Sequence, residues 1–226
     1  MCQFFSFCSI SGKPLFFNAE QRREIMNNEG EFKGLSYNPD SHTSIADFFG
    51  YKGKKEDELN KYEFNPLLKE FIKDRIGGKD DSPKIEKWVK NLDFKTIVPK
   101  LIVKPIIHPF KIEPPKITEK HIELLKQWAS VRASVRASVE ASVWASVEAS
   151  VWDSVGASVR ASVEDSVWDS VWDSVEAYIS SFFDIWNGKN PYQSCIDLWE
   201  MGLIPASDGK IWYLTSKNGI EWKGKI

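Results

Sequence analysis

The chain has 226 residues, and its 30 basic and 32 acidic side chains leave a net charge of −2 at pH 7, so no global field directs it to nucleic acid or anionic lipid. No apolar run approaches the ~20 residues that span a bilayer, and the opening MCQFFSFCSISGKP turns polar too early for a secretory leader. Cys2, Cys8 and Cys195 show neither C-x-x-C spacing nor a histidine cluster, which points away from disulfides and metal and toward a reduced, cytoplasmic chain.

From the N-terminus, QFFSFCSI, SGKP and LFF predict a strand, a turn built on Gly12 and Pro14, and a second strand. NAEQRREIMNN predicts a short helix with Asn18 as N-cap, and NPDSHTSIADFFG a second helix capped by Asp40 or Ser41 and ending at Gly50. NKYEFNP and KEFIKDRI have strand composition, the second also open to a helical reading, while SPKIEKWVKNL predicts a helix with Ser82 as N-cap and Pro83 at the first helical position. Residues 1–95 therefore read as a mixed α+β domain. The proline-rich stretch 96–117 does not read as a helix but as an extended connector or edge strand lying along the domain surface.

Thr118 caps EKHIELLKQW, where Ile122, Leu125 and Trp128 share a face, and no breaker separates this helix from Ala129 onward. Residues 129–176 are twelve consecutive tetrads of the form Ala/Asp-Ser-Val-x, with x limited to Arg, Glu, Trp or Gly. These variable residues are single-base neighbours in the genetic code, the mark of a twelve-nucleotide unit copied by slippage and then mutated. In an α-helix each tetrad overshoots a full turn by ~40°, so the valine stripe winds round and no heptad seam forms. Ala, Glu and Arg favour helix, and helical patterns enter and leave the run. The expectation is one helix over 118–187, ~100 Å long at 1.5 Å per residue. The alternative is a small β-solenoid; it resembles the pentapeptide-repeat solenoids in centring each unit on an apolar residue, but has one residue fewer per unit. After the tetrads, AYISSFFDIWNG predicts helix ending at Gly188, PYQSCIDLWEMG a short helix ending at Gly202, and the last segments a β-hairpin turning at Asn218-Gly219. Residues 188–226 thus form a C-terminal helix plus β-hairpin, and the fold class is α+β.

MCQFFSF, DSHTSIADFFG, NKYEFNPLLKEF, LDFKTIVPKLIVKPIIHPF and DLWEMGLIPASDGKIW together resemble a group of uncharacterised bacteriophage and bacterial proteins that carry tandem S-V tetrads. The resemblance implies a phage or mobile-element accessory protein; it implies no activity and carries over no catalytic residue.

Cys2 is a candidate nucleophile, because removal of Met1 would leave an N-terminal cysteine whose amine can act as base for its own thiol. MC openings resemble class II amidotransferases and the proteins that crosslink to abasic DNA, both of which have Gly next where this chain has Gln3; the opposing reading is a buried strand cysteine. His42, with Asp40 and Asp47 nearby, is a candidate general base or ligand, set against a surface histidine at a capped helix start. His108 and His121 lie too far along the chain from it to form a metal constellation, and no cofactor-binding motif occurs.

In the tetrads, Trp144, Trp152, Trp168 and Trp172 interleave with Arg132, Arg136 and Arg160. Stacking of single-stranded nucleic acid on these residues is disfavoured, because four glutamates and four aspartates outnumber three arginines in the run. Protein–protein contact suits Trp and Arg better, and the rotating stripe argues against a membrane surface. The reading is a non-enzymatic interaction protein whose partner is another protein or a second copy. The alternatives are an enzyme using Cys2 on an amide or nucleic acid, and a small-ligand sponge in the N-terminal domain.

Overall fold

The run FSFCSI becomes strand β1 (Phe5–Ile10), which turns through Ser11 and Gly12 into β2 (Lys13–Leu15). Both turn residues have positive φ, 52° and 74°, the hairpin geometry that matches the twist of the flanking strands. The structure, a computed structural model, describes residues 5–135, 138–139, 155–156, 159 and 168–226, the side chains of 168–171 excepted. The chain divides into two compact units, residues 1–103 and 104–226, and the described residues are of the α+β class.

In the first unit β3 (Asn60–Asn65) and β4 (Glu70–Arg75) complete an antiparallel sheet of order β2-β1-β3-β4. Register pairs Phe5 with Phe64 and Phe7 with Tyr62 on one face, and Ser6 with Glu63 and Cys8 with Lys61 on the other. Helix α3 (Ser82–Lys90) covers the aromatic face, Trp88 meeting Phe7 edge-on at 5.3 Å, while Phe94 stacks on Phe64 at 5.6 Å. Helices α1 (Ala19–Asn27) and α2 (His42–Phe48) close a second core around Cys8, Leu15, Phe17, Phe32, Ile45 and Ala46. Each of the fully buried phenylalanines here contributes about 1.5–3 kcal/mol by leaving water.

The expected caps hold at Asn18, where Gln21 completes a capping box, and at Ser41. Helix α3 differs: its N-cap is Asp81 and Ser82 is already helical. The Asp81 carboxylate makes no capping bond because it is drawn away to the sheet. It accepts from Ser9 Oγ (2.8 Å), the Gly12 N–H (2.6 Å), Asn60 Nδ2 (2.8 Å) and the Tyr62 hydroxyl (2.7 Å). Burial opposes its charge, but these bonds prevail and hold the carboxyl below the usual carboxylate range.

The second unit packs α6 (Gln193–Glu200) against both α4 (Glu119–Val131) and α5 (Trp168–Ser180). Helix α5 also lies on a three-stranded sheet, β5 (Ile204–Ser207), β6 (Trp212–Ser216) and β7 (Gly219–Gly224), in that order. The hairpin β6–β7 is the expected one, and β5 adds a strand beyond it that the sequence pattern does not announce. Thr118 caps α4 with His121 as the reciprocal partner, the Thr118 N–H donating to His121 Nδ1 at 3.0 Å. His121 is buried, and burial, with Lys120 beside it, lowers its pKa from the ordinary histidine value.

One expectation is corrected. The helix expected to run unbroken over 118–187 stops at Val131, passes into a 3-10 turn at Arg132–Ser134, and at its far end stops at Ser180. Serine chemistry gives the reason. Ser130 and Ser134 donate their hydroxyls to the carbonyls of Gln127 and Val131 (2.7 and 2.8 Å), and Ser180 and Ser181 do the same to Ala177 and Tyr178 (2.6 Å each). Such back-bonds compete with the helix ladder and bend or end it. Among the described tetrad residues the backbone is helical and no strand occurs, so the solenoid alternative finds no support there.

The proline-rich stretch divides between the units at 103/104. Its second half is bound tightly: the Ile107 N–H donates to the Tyr178 hydroxyl (2.8 Å), and the Ile107 carbonyl accepts from Trp199 Nε1 (2.9 Å). Further on, Ile112 lies so near Gly202 (φ 78°) that a Cβ there would stand 3.0 Å from the Ile112 Cβ.

Candidate functional site

The tetrad run begins and ends at one place in the second unit. Arg132, the fourth residue of the first tetrad, donates from Nε to Oδ2 of Asp173, the first residue of the last tetrad. Its guanidinium also lies over the Trp212 ring on β6, 5.5 Å from the centroid. Had the residues between them formed a straight helix, the 41 positions separating the pair would hold them ~60 Å apart at 1.5 Å per residue. The first and last tetrads are therefore brought together, which one straight helix could not do.

The rest of the base is built around this pair. Tyr192, buried ahead of α6, donates its hydroxyl to the Ser134 carbonyl (3.3 Å) and meets Trp128 of α4 edge-on at 6.3 Å. Ser174 donates to the Pro205 carbonyl on β5 (2.7 Å), and Val175 is fully buried. The third-position valines at 135, 139, 155 and 159 are also 0–1 % exposed. In an uninterrupted α-helix Val135 and Val155 would point ~200° apart, so burial of both excludes a free rod with one wetted side.

Of the residues expected to make partner contacts, Arg132 is engaged inside the unit by Asp173 and Trp212, and Trp172 is half-buried on α5. Trp168 lies in the same helix, its side chain outside the described set. Trp144, Trp152, Arg136 and Arg160, like Cys2 in the first unit, lie outside the described residues. Asp173, Ser174, Tyr192 and Trp212 join the site without having been candidates on the sequence. For Asp173 the one available signal is the placing of Arg at the fourth position of early tetrads and Asp at the first position of late ones.

The remaining candidates are placed in the first unit. Asp40 does not serve His42; it is buried and receives both carboxylate bonds from Arg22 Nη2, at 2.9 Å each. His42 is only 9 % exposed, not on the surface, and its Nε2 lies 3.0 Å from the Tyr62 carbonyl. A carbonyl only accepts, so Nε2 carries the proton and Nδ1 is left facing Asp74 at 3.5 Å. Both ring nitrogens are thereby turned from Cys8, whose thiol points instead at the His42 carbonyl (3.8 Å) and is pushed up to about 12 by burial. A cysteine so protonated is a poor nucleophile, and the adjacent histidine is not oriented to activate it. For the ligand-sponge alternative, the first unit offers an open depression of about 400 Å³ beside α3, lined by Lys84, Lys87, Trp88 and Asn91. Ligand sites bury most of their occupant, and a depression lined chiefly by one helix does not.

Among the described residues no helix is long and apolar enough to cross a membrane, and no group of three His, Cys, Asp or Glu side chains is placed to hold a metal ion. No family model, curated protein or solved structure matches the chain.

Proposed function

We propose that this is a non-enzymatic, cytoplasmic interaction protein, encoded by a phage or mobile element, that uses its tetrapeptide run to contact a protein partner or a second copy of itself. The observation that carries the reading is the closure of the run at Arg132 and Asp173. The two ends of the run are thereby fastened side by side on a folded base. The fourth positions of the run carry Trp and Arg, the residue types that dominate protein–protein hot spots. The excess of acidic over basic residues in the run supports a protein partner over nucleic acid.

Light scattering of the full chain, combined with affinity capture using it as bait, tests this. A dimer or a captured protein that is lost when Trp144 and Trp152 are both changed to Ser supports the reading. A chain that stays monomeric and captures nothing, or an association untouched by the double substitution, overturns it.

A further inference from the structure

Helix α4 is capped through a histidine. The third helical residue of a capping box reaches back to the N-cap, and Glu or Gln usually fills that place. Here it is His121, whose Nδ1 lies 3.0 Å from the Thr118 backbone nitrogen and 3.1 Å from the Thr118 hydroxyl. A backbone N–H only donates, so Nδ1 offers its lone pair and the neutral ring carries its proton on Nε2. A second proton can enter only at Nδ1. Proton and capping bond therefore compete for one lone pair, and a ring that takes the proton turns a donor toward the N–H it was holding.

The surroundings keep the cap closed at neutral pH. His121 is 6 % exposed, and burial together with Lys120 holds its pKa below the ordinary histidine value. A charge on the ring would stand in the first turn of α4, at the positive end of the helix dipole. Among the described residues no carboxylate compensates it: not Glu113 on the connector, not Glu119 on α4, and not Asp197 or Glu200 on α6, which packs on α4.

Thr118 is where the connector enters the helix, and the His121 and Ile122 N–H groups both return bonds to its carbonyl. Upstream, the connector is pinned at Ile107 by Tyr178 and Trp199, and Glu113 pairs with Lys217. Between Glu113 and Thr118 stand Pro114 and Pro115, which have no N–H to donate.

We propose that the Thr118–His121 cap is a proton-operated catch: acid opens it and frees the start of α4 with connector residues 114–117, while the fastening at Ile107 holds. That fastening is made by a phenol and an indole, which take up no proton on mild acidification. Hydrogen exchange of the full chain from pH 7.5 to 5, corrected for the intrinsic pH dependence of exchange, tests this. Protection over 114–123 should fall about fivefold, the cost of one helix cap, while protection around Ile107 and along α6 stays within a factor of about two. His121→Gln keeps an acceptor at every pH in the series and should hold 114–123 protected throughout. Nitrogen NMR of the His121 ring in the unaltered chain gives an independent reading: Nδ1 must gain its proton over the same pH range in which protection is lost. Protection insensitive to pH, an equal loss across the whole unit, the same loss in His121→Gln, or a ring that titrates outside that range overturns the proposal.

Discussion

Arg22 and Asp40 meet beneath the surface of the first unit as a forked pair, one guanidinium nitrogen reaching both carboxylate oxygens at 2.9 Å while the side chains are 3 % and 2 % exposed. The Ser6 N–H adds a third, longer contact to the same carboxylate at 3.5 Å, and the Arg22 guanidinium lies 5.9 Å from the Phe5 ring centroid. The pair thus fastens α1 and the loop ahead of α2 to the first residues of β1.

Removing one member of this pair leaves the other charged and buried, which costs about 3–5 kcal/mol. Asp40→Ala and Arg22→Ala should each destabilise the first unit by that amount in urea unfolding. The double substitution to apolar residues should cost much less than the sum of the two. Equal, additive losses would show the two side chains to act independently.

Tyr178 and Trp199 stack at 4.9 Å with their planes 12° apart, and their polar edges hold the two backbone groups of Ile107. Tyr178→Phe and Trp199→Phe each keep an aromatic ring while leaving an Ile107 backbone group unpaired, at a cost of about 1–3 kcal/mol. The expected phenotype is faster amide exchange at Ile107 in Tyr178→Phe, along with a lower Tm. Unchanged exchange would contradict the bond.

His121 links stability of the second unit to pH. Its Nδ1 accepts from the Thr118 N–H, and its folded pKa is depressed by burial and by Lys120. A depressed pKa means the neutral ring is the stabilised form. The contribution is complete above the ordinary histidine value of 6.5 and is lost as pH falls through the lower, folded value. The unit's Tm should decline on acidification from neutrality, and His121→Gln should flatten that part of the profile.

Cys8 and Cys195 are buried, and burial raises both thiols, Cys8 to about 12. Neither should react with a water-soluble disulfide reagent in the native protein at pH 8, and both should react at once in denaturant. Rapid native labelling at either position, read by peptide mass, would contradict the packing of Cys8 against α2 or of Cys195 against α5.

Local signals in the sequence are legible where local chemistry decides the outcome. The turn at Gly12, the Asn18 and Thr118 caps and the β6–β7 hairpin arise from φ preferences and from donors within three residues, although Pro14, expected in that turn, pairs with Ser9 inside β2. What escapes depends on partners distant in the chain. Asp81 looks like a residue at a helix start, but its bonds go to Ser9, Gly12, Asn60 and Tyr62. His42 sits at a capped helix start beside two aspartates, yet its ring meets Tyr62 and Asp74, which reach it only through strand pairing. The tetrads read as a rod because periodicity describes a helix that nothing interrupts. Serine back-bonding and the charge pair between the outermost units lie outside what a repeating pattern can state.

The tie between Ile107 and the stacked pair of α5 and α6 fixes where the second unit can be cut from its surroundings. A fragment beginning at Thr118, the natural choice if the prolines are a tether, would expose the Tyr178 hydroxyl and the Trp199 indole and strip Ile112 from Gly202. It would also lose Lys104, which stands over the rings of Tyr178 and Phe182 at 5.5 and 5.0 Å and pairs with Glu200. A recombinant piece meant to fold should start no later than Lys104, and a protease offered the native chain should find the bonds flanking Ile107 among the last it can open.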